Sequence, residues 1–202
     1  MKTLQLPQMS TAKPSGSAKH NDNGEYTDHL KRNFPLSAPN LVWASDITYL
    51  KAGGRWYYLC IIMDLFSRKV ISWELSAKAD ARLVIDTFKK AYGKRDAPYG
   101  LMFHSDHGCQ YTSFLFRRLL DSLNVVQSFS KKGCPFDSAC CECFFKYLKK
   151  EETNKRTYPS FRELKLSVFG YIDGYYNSRR PHGTLGMLTP NGAETLYWEQ
   201  NQ

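Results

Sequence analysis

Three acidic residues stand where carboxylates are either costly or commonly functional. Asp46 lies inside an apolar predicted strand, where an ionised carboxylate is unfavourable unless something pairs with it. Asp106 directly follows another predicted strand, the position at which ligand sites of open α/β sheets collect. Glu142 falls in the first turn of a predicted helix. If the fold brings the three together, their repulsion favours a divalent cation, and oxygen-only ligands favour Mg²⁺ or Mn²⁺.

Each of these acids also has a purely structural interpretation. Asp46 could end a strand at a turn, and Asp106 could form an Asx turn before Gly108. Glu142 could simply interact with the dipole of its own helix. The choice between chemistry and structure therefore depends on the elements that carry the three residues.

The hydrophobic pattern predicts these elements. Three strand-like runs come first, LVWASDITYL, WYYLCIIM and KVISWEL, with a Gly-Gly turn between the first two. A helix capped by Asp80 follows, then a short strand LMF, a helix capped by Thr112 or Ser113, and a strand at residues 125–128. The early strands predict an antiparallel meander.

Two further helices complete the predicted order β-β-β-α-β-α-β-α-α. The first begins after Ser138 and runs through ACCECFFKYLKKEE, and the second opens with Ser160 and Glu163 as a capping box. The second helix carries one apolar stripe, made of Leu164, Val168, Ile172 and Tyr175. A meander followed by strands that alternate with helices predicts an α/β fold, with a mixed sheet covered by helices.

Length and composition restrict the class of protein. A chain of 202 residues, 42% of them hydrophobic, suits one folded domain and excludes wholesale disorder. Residues 1–38 are polar and turn-rich and predict a linker or arm, whereas residues 39–202 are expected to form the folded part with a C-terminal helical extension. Lys and Arg outnumber Asp and Glu by 28 to 19, and the resulting net charge of +9 favours a polyanionic partner such as nucleic acid.

The sequence also bears on location. No stretch reaches the ~18 apolar residues of a membrane span, and the N-terminal residues lack the apolar run of a secretory signal. We therefore expect a cytoplasmic protein with no membrane partner. Its six cysteines are expected to be thiols in that reducing compartment.

Four strings resemble the catalytic region of transposases of the insertion-sequence-three type, which are DDE enzymes similar to retroviral integrases. The strings are VWASDITYL, HSDHGCQYTS, KKGCPFDSACCECFFKYLKKE and YYNSRRPHGTLGMLTP, and they stand in the family's order across residues 39–194. Asp106 and Glu142 are separated by 35 residues, the gap that the family shows. The resemblance implies an RNase H-like fold with a five-stranded mixed sheet, and it places Asp46 on the first strand.

The resemblance further implies an activity, which is DNA strand cleavage and strand transfer during transposition of an insertion sequence. Asp46, Asp106 and Glu142 would be the catalytic residues and would hold two Mg²⁺ or Mn²⁺ ions. The element ends and target DNA would be the substrates, and synapsis of two ends implies a homo-oligomer in the active complex. Family members carry helix-turn-helix modules before the catalytic region, so a separate helix-turn-helix protein from an upstream reading frame is a further expected partner.

Two other interpretations stay open at the level of sequence. Only about 40 residues precede the first string, which is compatible with a truncated, inactive DNA-binding remnant of an insertion element. The same acids and metals are compatible with an RNase H-type nuclease that acts on RNA–DNA hybrids. The YYNSRRPHGTLG string and the spacing of the acids favour the transposase.

Basic residues near the acids are candidate DNA contacts. Lys146 and Lys149 follow Glu142 by 4 and 7 positions, so all three share a helix face. In integrase-like enzymes a basic residue at the position of Lys149 contacts DNA. Lys131 and Lys132, in the loop before the helix, are further candidates.

Each basic group has a structural alternative. The two helix lysines could form a solvated face paired with Glu151 and Glu152. Arg179 and Arg180, in the string RRPHGTLG after a helix end, could contact DNA or only pack there.

The cysteines of the third predicted helix suggest zinc only weakly. Cys134, Cys140, Cys141 and Cys143 lack the paired C-x-x-C spacing of zinc knuckles, and the last three crowd one helical turn, so no zinc site is expected. They also depart from the family pattern, which has serine at the position of Cys143.

Three other polar residues lie close to the predicted strand ends. His104 and His107 flank Asp106 and could ligate a metal, hydrogen-bond to a ligand or belong to the loop surface. Asp64 is predicted to cap a turn and to pair with Arg68.

Overall fold

The five strands form one mixed sheet in the order β3-β2-β1-β4-β5. The structure, a computed structural model, describes residues 36–96, 98–130 and 139–201. The strands are β1 (Val42–Ala52), β2 (Arg55–Asp64), β3 (Val70–Ser76), β4 (Met102–Ser105) and β5 (Val126–Phe129). The first three pair antiparallel because short turns join them, whereas β4 and β5 each follow a helix and pair parallel. The predicted mixed α/β sheet is confirmed.

The described residues form five α-helices, and the caps of three of them are those predicted. They are α1 (Ala81–Lys94), α2 (Phe114–Ser122), α3 (Ala139–Leu148), α4 (Phe161–Phe169) and α5 (Pro190–Gln200). The side chains of Asp80, Ser113 and Ser160 accept backbone hydrogen bonds at the starts of α1, α2 and α4. Ser138, the predicted cap of α3, lies outside the described residues. In the described ranges, no helix is long and apolar enough to cross a membrane.

Helix α5 was not among the predicted helices, although its start carries a recognisable sequence signal. The Thr189 side chain accepts a hydrogen bond from the Gly192 N–H, and Pro190 occupies the first turn. Proline is favoured there because its missing N–H would have no helical partner in any case.

β1 is the central strand, and its two faces belong to two apolar cores. Val42, Ala44 and Leu50 join a core that α3 and α4 complete, while Trp43 joins a core with α1 and α2. The alternation follows from the period of two in a strand. Each fully buried leucine or phenylalanine of these cores stabilises the fold by roughly 1.5–3 kcal/mol. The side chain of Asp46 therefore projects toward the face that α3 covers.

The apolar stripe predicted for the last long helix is wrong at one position. Leu164, Val168 and Ile172 are buried, but Tyr175 is 41% exposed and Tyr176 is buried in its place. The reason is a π-helical segment, Gly170–Tyr176, that follows α4. Its i→i+5 hydrogen bonds widen the turn and move the buried face by one residue.

Candidate active site

Asp46 lies near the middle of the central strand, opposite Ile61 of β2. One of its carboxylate oxygens accepts a hydrogen bond from the Ile47 N–H at 2.7 Å. Burial is the main reason that the pKa of Asp46 is raised to about 7, against the effect of that hydrogen bond. The negative charges of Asp106 and Glu142 act in the same direction as burial. Asp106 and Glu142 are thus both near enough to Asp46 to act on its charge.

Asp106 follows β4 immediately and is exposed. β4 runs parallel to β1, and their last pair is Ala44 with His104, so Asp46 and Asp106 each follow that pair by two residues on neighbouring chain segments. The Oδ1 atom of Asp106 accepts a hydrogen bond from the Gly108 N–H at 2.9 Å. Asp106 therefore forms the Asx turn with Gly108 that is its structural alternative, and this turn also orients the carboxylate at the end of the strand.

Glu142 is exposed in the first turn of α3. Its neighbours Cys141, Phe144 and Phe145 are buried in the core that includes β1. Their burial holds the start of the helix against the strand that carries Asp46. Asp46 therefore interacts with two negative charges that different elements carry, Glu142 on α3 and Asp106 after β4.

These carboxylates have the donor chemistry that Mg²⁺ and Mn²⁺ prefer, since all their ligand atoms are hard oxygens. A cation among them would offset the burial and the like charges that raise the pKa of Asp46. Within residues 36–96, 98–130 and 139–201, no three His, Cys, Asp or Glu side chains are grouped tightly enough to form a complete metal site. The match between these carboxylates and a divalent cation therefore depends on their oxygen donor atoms and on the repulsion between their charges.

Lys149 brings a positive charge to the same region. It begins a π-helical segment, Lys149–Thr153, directly after α3, and its Nζ lies 4.7 Å from the centroid of the Tyr49 ring. Burial lowers the pKa of Lys149, while the Asp46 carboxylate opposes that change. Lys146 is exposed one turn earlier on the same helix. The predicted basic face thus adjoins the acids.

Two family descriptions, each named integrase core domain, match this chain. One matches residues 37–135 and the other residues 142–195, so together they span well over half of the chain. The chain belongs to the integrase core family. The two matches bracket the segment before Glu142 and include all three predicted catalytic acids.

Two curated relatives of this chain are both named transposases of insertion sequences. This integrase core is 38% identical over 161 residues to the transposase for insertion sequence element IS904 of Lactococcus lactis subsp. lactis (strain IL1403), which covers 80% of the chain and 64% of the relative. It is 39% identical over 165 residues to transposase InsF for insertion sequence IS3fB of Escherichia coli (strain K12), covering 82% of the chain and 57% of the relative. The chain therefore spans about 57–64% of the length of these relatives, and the resemblance stated above is confirmed.

A solved structure shows the same fold. The HTLV-2 integrase catalytic core domain, in a structure described as a complex with magnesium, has a TM-score of 0.58 and 19% sequence identity. The match covers 78% of this chain and 97% of that one. The predicted RNase H-like fold is thereby confirmed.

The two predicted arginines of this integrase core have different surroundings. Arg179 is exposed, whereas the guanidinium of Arg180 donates three hydrogen bonds to the Glu151 carboxylate and lies 3.8 Å from the centroid of the Tyr147 ring. The side chain of Arg180 is only 14% exposed. This geometry favours the packing role for Arg180. Arg179 stays a predicted DNA contact, and Lys131 and Lys132 lie outside the described residues.

The two histidines near Asp106 are directed toward β5. The Nδ1 atom of His104 lies 3.0 Å from the Ser128 hydroxyl, and Nε2 of His107 lies 2.7 Å from the Ser130 carbonyl oxygen. His104 is buried, so its position fits that of a hydrogen-bonding support for the strand end. Sequence alone left open which of these roles each ring has.

The cysteines of α3 face three different surroundings. The Cys140 sulfur accepts a hydrogen bond from Arg68, Cys141 is buried in the core, and Cys143 is exposed. Burial raises the pKa of Cys140 and of Cys141, which favours the neutral thiol. Cys134 lies outside the described residues.

Asp64 caps the turn after β2, as predicted, whereas its pairing with Arg68 stays a prediction, and the Arg68 guanidinium donates to the Cys140 sulfur. Its carboxylate accepts hydrogen bonds from the backbone N–H groups of Asn40, Phe66 and Ser67. Burial raises the pKa of Asp64 despite these bonds. Its role is structural, because it closes the turn that leads into β3.

Two supporting features were missed by sequence reasoning. Beneath Asp46, the Ser45 hydroxyl donates to the Ile61 carbonyl at 2.7 Å and lies 2.9 Å from the Tyr111 hydroxyl, which ties β1 to the loop after Asp106. In that loop, a Cβ at Gly108 would lie 3.0 Å from Asp106 Oδ1, closer than ordinary contact. The signal for both was present in the strings that carry the family resemblance, but only packing shows what they support.

Proposed function

We propose that this integrase core catalyses DNA strand cleavage and strand transfer during transposition of an insertion sequence. The observation that carries the proposal is the arrangement of Asp46, Asp106 and Glu142 from three separate elements, with Lys149 beside them. Acids in a basic protein that binds DNA would repel its phosphates unless cations intervene. The names of the curated relatives support the same activity.

Asp46, Asp106 and Glu142 would hold two Mg²⁺ ions, or Mn²⁺. When bound, such ions activate a water or a DNA 3′-hydroxyl and stabilise the leaving oxygen during in-line attack at phosphorus. The protein's own contribution is positioning: the Gly108 N–H orients the Asp106 carboxylate, and burial in β1 holds Asp46 in place. No covalent enzyme intermediate is needed for this chemistry.

Cations of the chain would hold the DNA while the acids act. Lys149 lies beside Asp46 and Lys146 is exposed on the same helix, so both would contact phosphates next to the scissile bond. Arg179 is exposed and would contact phosphate further away. Such contacts position the strand without reading its sequence.

The proposal includes partners. Element ends and target DNA are the substrates, and joining two ends requires at least two copies of the catalytic core in one complex, acting in the bacterial cytosol. Recognition of the end sequence would come from helix-turn-helix modules on a separate protein. The relatives' greater length is consistent with a function that needs more than the stretch they share with this chain.

The test is strand cleavage and joining of oligonucleotide ends with Mg²⁺. Asp46→Asn, Asp106→Asn and Glu142→Gln should each lower the rate by more than about 100-fold, because loss of an indirect metal neighbour already costs 10–100-fold. Asp86→Asn is the matched control, since Asp86 is an exposed acid of α1 that pairs with Arg82.

Two results would contradict the proposal. If all three site variants kept wild-type rates, these acids would not be the catalytic residues. If wild-type protein cut only RNA–DNA hybrids, the RNase H-type alternative would replace transposition.

A further inference from the structure

The described part of the chain contains a cleft next to the predicted active site, between the turn of the β1–β2 hairpin and residues 149–158. We infer that this cleft, here called the hairpin pocket, binds an unpaired nucleotide of the DNA strand that the catalytic acids process. The inference rests on the proposed function and deepens it by naming a subsite.

The walls of the hairpin pocket are held together by backbone contacts. The Gly53 N–H donates a hydrogen bond to the Tyr158 carbonyl at 2.8 Å, which joins the hairpin turn to the opposite wall. Gly53 has a φ of +52°, and a Cβ there would lie 2.9 Å from the Pro159 carbonyl oxygen. Only glycine permits this approach. The cleft has a volume of about 350 Å³, within the usual range of small-molecule sites.

Aromatic rings line one side of the pocket. Trp56 and Tyr49 lie edge to face, with ring centroids 5.1 Å apart and an interplanar angle of 87°. Trp56 is half-buried, and the Nζ of the exposed Lys51 lies 5.6 Å from the centroid of its ring. Bases stack on such rings whatever their sequence, because every base has a π face. Lys51 can swing from the ring to a phosphate of the incoming nucleotide at little cost, since its ammonium is exposed.

The lining of this pocket is more positive than that of three other clefts in the described part of the chain. Its lining includes Lys51, Lys149 and Arg156 and, among the described residues, no Asp or Glu. Two other clefts of 480 and 780 Å³ each have three acids in their lining. Those acids are Glu74, Asp80 and Asp86 in one cleft, and Glu151, Glu152 and Glu163 in the other. A fourth cleft, of 300 Å³, also lacks acids but has a single cation, Arg68. A phosphate-bearing ligand is therefore favoured most in the hairpin pocket among these four.

The position of the pocket identifies the nucleotide. Tyr49 follows Asp46 by three residues along β1, which at about 3.3 Å per residue separates them by about 10 Å. A stacked DNA strand advances 3.4 Å per nucleotide, so the pocket lies within about three nucleotides of the scissile phosphate. Lys149 links the two places, since it contacts Tyr49 and interacts with Asp46. A base can stack on Trp56 only after leaving its own stack, which requires an unpaired nucleotide.

The experiment measures binding of two oligonucleotide duplexes in EDTA, one blunt and one with an overhang of about three nucleotides. The overhang carries 2-aminopurine, whose fluorescence is quenched when it stacks. Trp56→Leu removes the ring but keeps an apolar side chain, Trp56→Phe keeps a ring, and Tyr99→Leu is the control at an aromatic residue that is 97% exposed. Circular dichroism and thermal unfolding verify that each variant is folded.

We expect wild-type protein, the Trp56→Phe variant and the Tyr99→Leu variant to quench the probe. Trp56→Leu should bind the overhang about 5- to 150-fold more weakly, the range for loss of one stacked base, and should bind the blunt duplex as the wild type does. Unchanged overhang binding by a folded Trp56→Leu variant, or an equal loss on both duplexes, would overturn the inference. If Trp56→Leu does not fold, absence of quenching by the wild type would overturn it instead.

Binding is measured without metal, so it is independent of strand cleavage. If wild-type protein quenches the probe but cuts no DNA with Mg²⁺, the proposed function fails while the nucleotide subsite stands. If it cuts DNA but quenches no probe, the subsite fails while the proposed function stands.

Discussion

Replacing Gly108 by alanine should disable the predicted active site without unfolding the protein. The Gly108 N–H donates to Asp106 Oδ1, and a Cβ at this position would lie 3.0 Å from that same oxygen. It would also lie 2.8 Å from Oε1 of Gln110. The backbone at Gly108 is outside the left-handed region, so alanine meets crowding and no backbone strain.

The size of the effect follows from these distances. Ordinary Cβ contacts begin at about 3.4 Å, so the Asp106 carboxylate must move by about 0.4 Å. Moving the Gln110 side chain away from the new Cβ is unfavourable, because its Nε2 donates a hydrogen bond to the Ala79 carbonyl at 2.8 Å. A displacement of 1 Å in an active site can lower the rate by about 10²-fold. About half that displacement should lower it by about tenfold, which corresponds to ~1.4 kcal/mol of activation free energy.

The assay is single-turnover cleavage of an oligonucleotide end with Mg²⁺, together with thermal unfolding. Gly93→Ala is the matched control, since a Cβ at Gly93 in α1 meets nothing within 4 Å. It should leave the rate unchanged and stabilise the helix by up to ~1 kcal/mol. The Gly108→Ala variant should lose activity at nearly wild-type thermal stability.

Wild-type activity in a folded Gly108→Ala variant would refute the idea that this glycine positions Asp106. The double variant Gly108→Ala with Gln110→Ala is a second check. It removes the contact with Gln110 but retains the contact with Asp106, so its activity should remain low. Recovery of the full rate would show that Gln110, and not Asp106, accounts for the loss.

Three further predictions concern charges. Lys149→Ala should weaken DNA binding and reduce the slope of affinity against salt concentration by about one phosphate contact, while Lys150→Ala, at the exposed neighbour, should have a smaller effect in the same titration. Arg180→Ala should destabilise the fold by about 2 kcal/mol, because it leaves Glu151 without its partner, whereas Arg179→Ala should leave thermal stability unchanged. Glu194→Gln should cost about 3 kcal/mol at pH 7, or about 6–12 °C in Tm, because Glu194 is 5% exposed and bonds to two cations. Burial raises the pKa of Glu194, but its cationic partners outweigh burial and lower it, so its contribution is present above about pH 4.5 and is lost as pH falls through the lower folded value. Wild-type and Glu194→Gln stabilities should therefore converge in acid, and a constant difference would contradict this assignment.

Much of the fold followed from local patterns. Alternating apolar residues identified β1, and the caps at Asp80, Ser113 and Ser160 placed three helix starts. The exposure of Tyr175 was not predictable, because the π-helical widening after α4 depends on tertiary packing more than on local sequence.

The candidate site was predictable as a set of residues but not as an arrangement. The strings around Asp46, Asp106 and Glu142 marked them without showing how they approach one another. For Arg180, the sequence allowed either DNA contact or packing. Only the structure shows that its guanidinium donates to the Glu151 carboxylate and lies over the Tyr147 ring. A side-chain partner distant in the chain leaves no periodic signal.

The sequence by itself determined the order of elements as far as α4, the identities of the three acids, and the excess of positive charge, since each of these depends on neighbouring residues or on composition. Only the tertiary structure decided that β4 runs beside β1, which brings Asp106 near Asp46, and that the hairpin turn meets Tyr158 to close a pocket of aromatic and basic residues. The physical reason is that strand order and wall-to-wall contacts minimise exposed apolar surface and unpaired backbone groups over the whole chain at once. The spacing of residues along a short segment therefore does not predict strand order or contacts between distant segments.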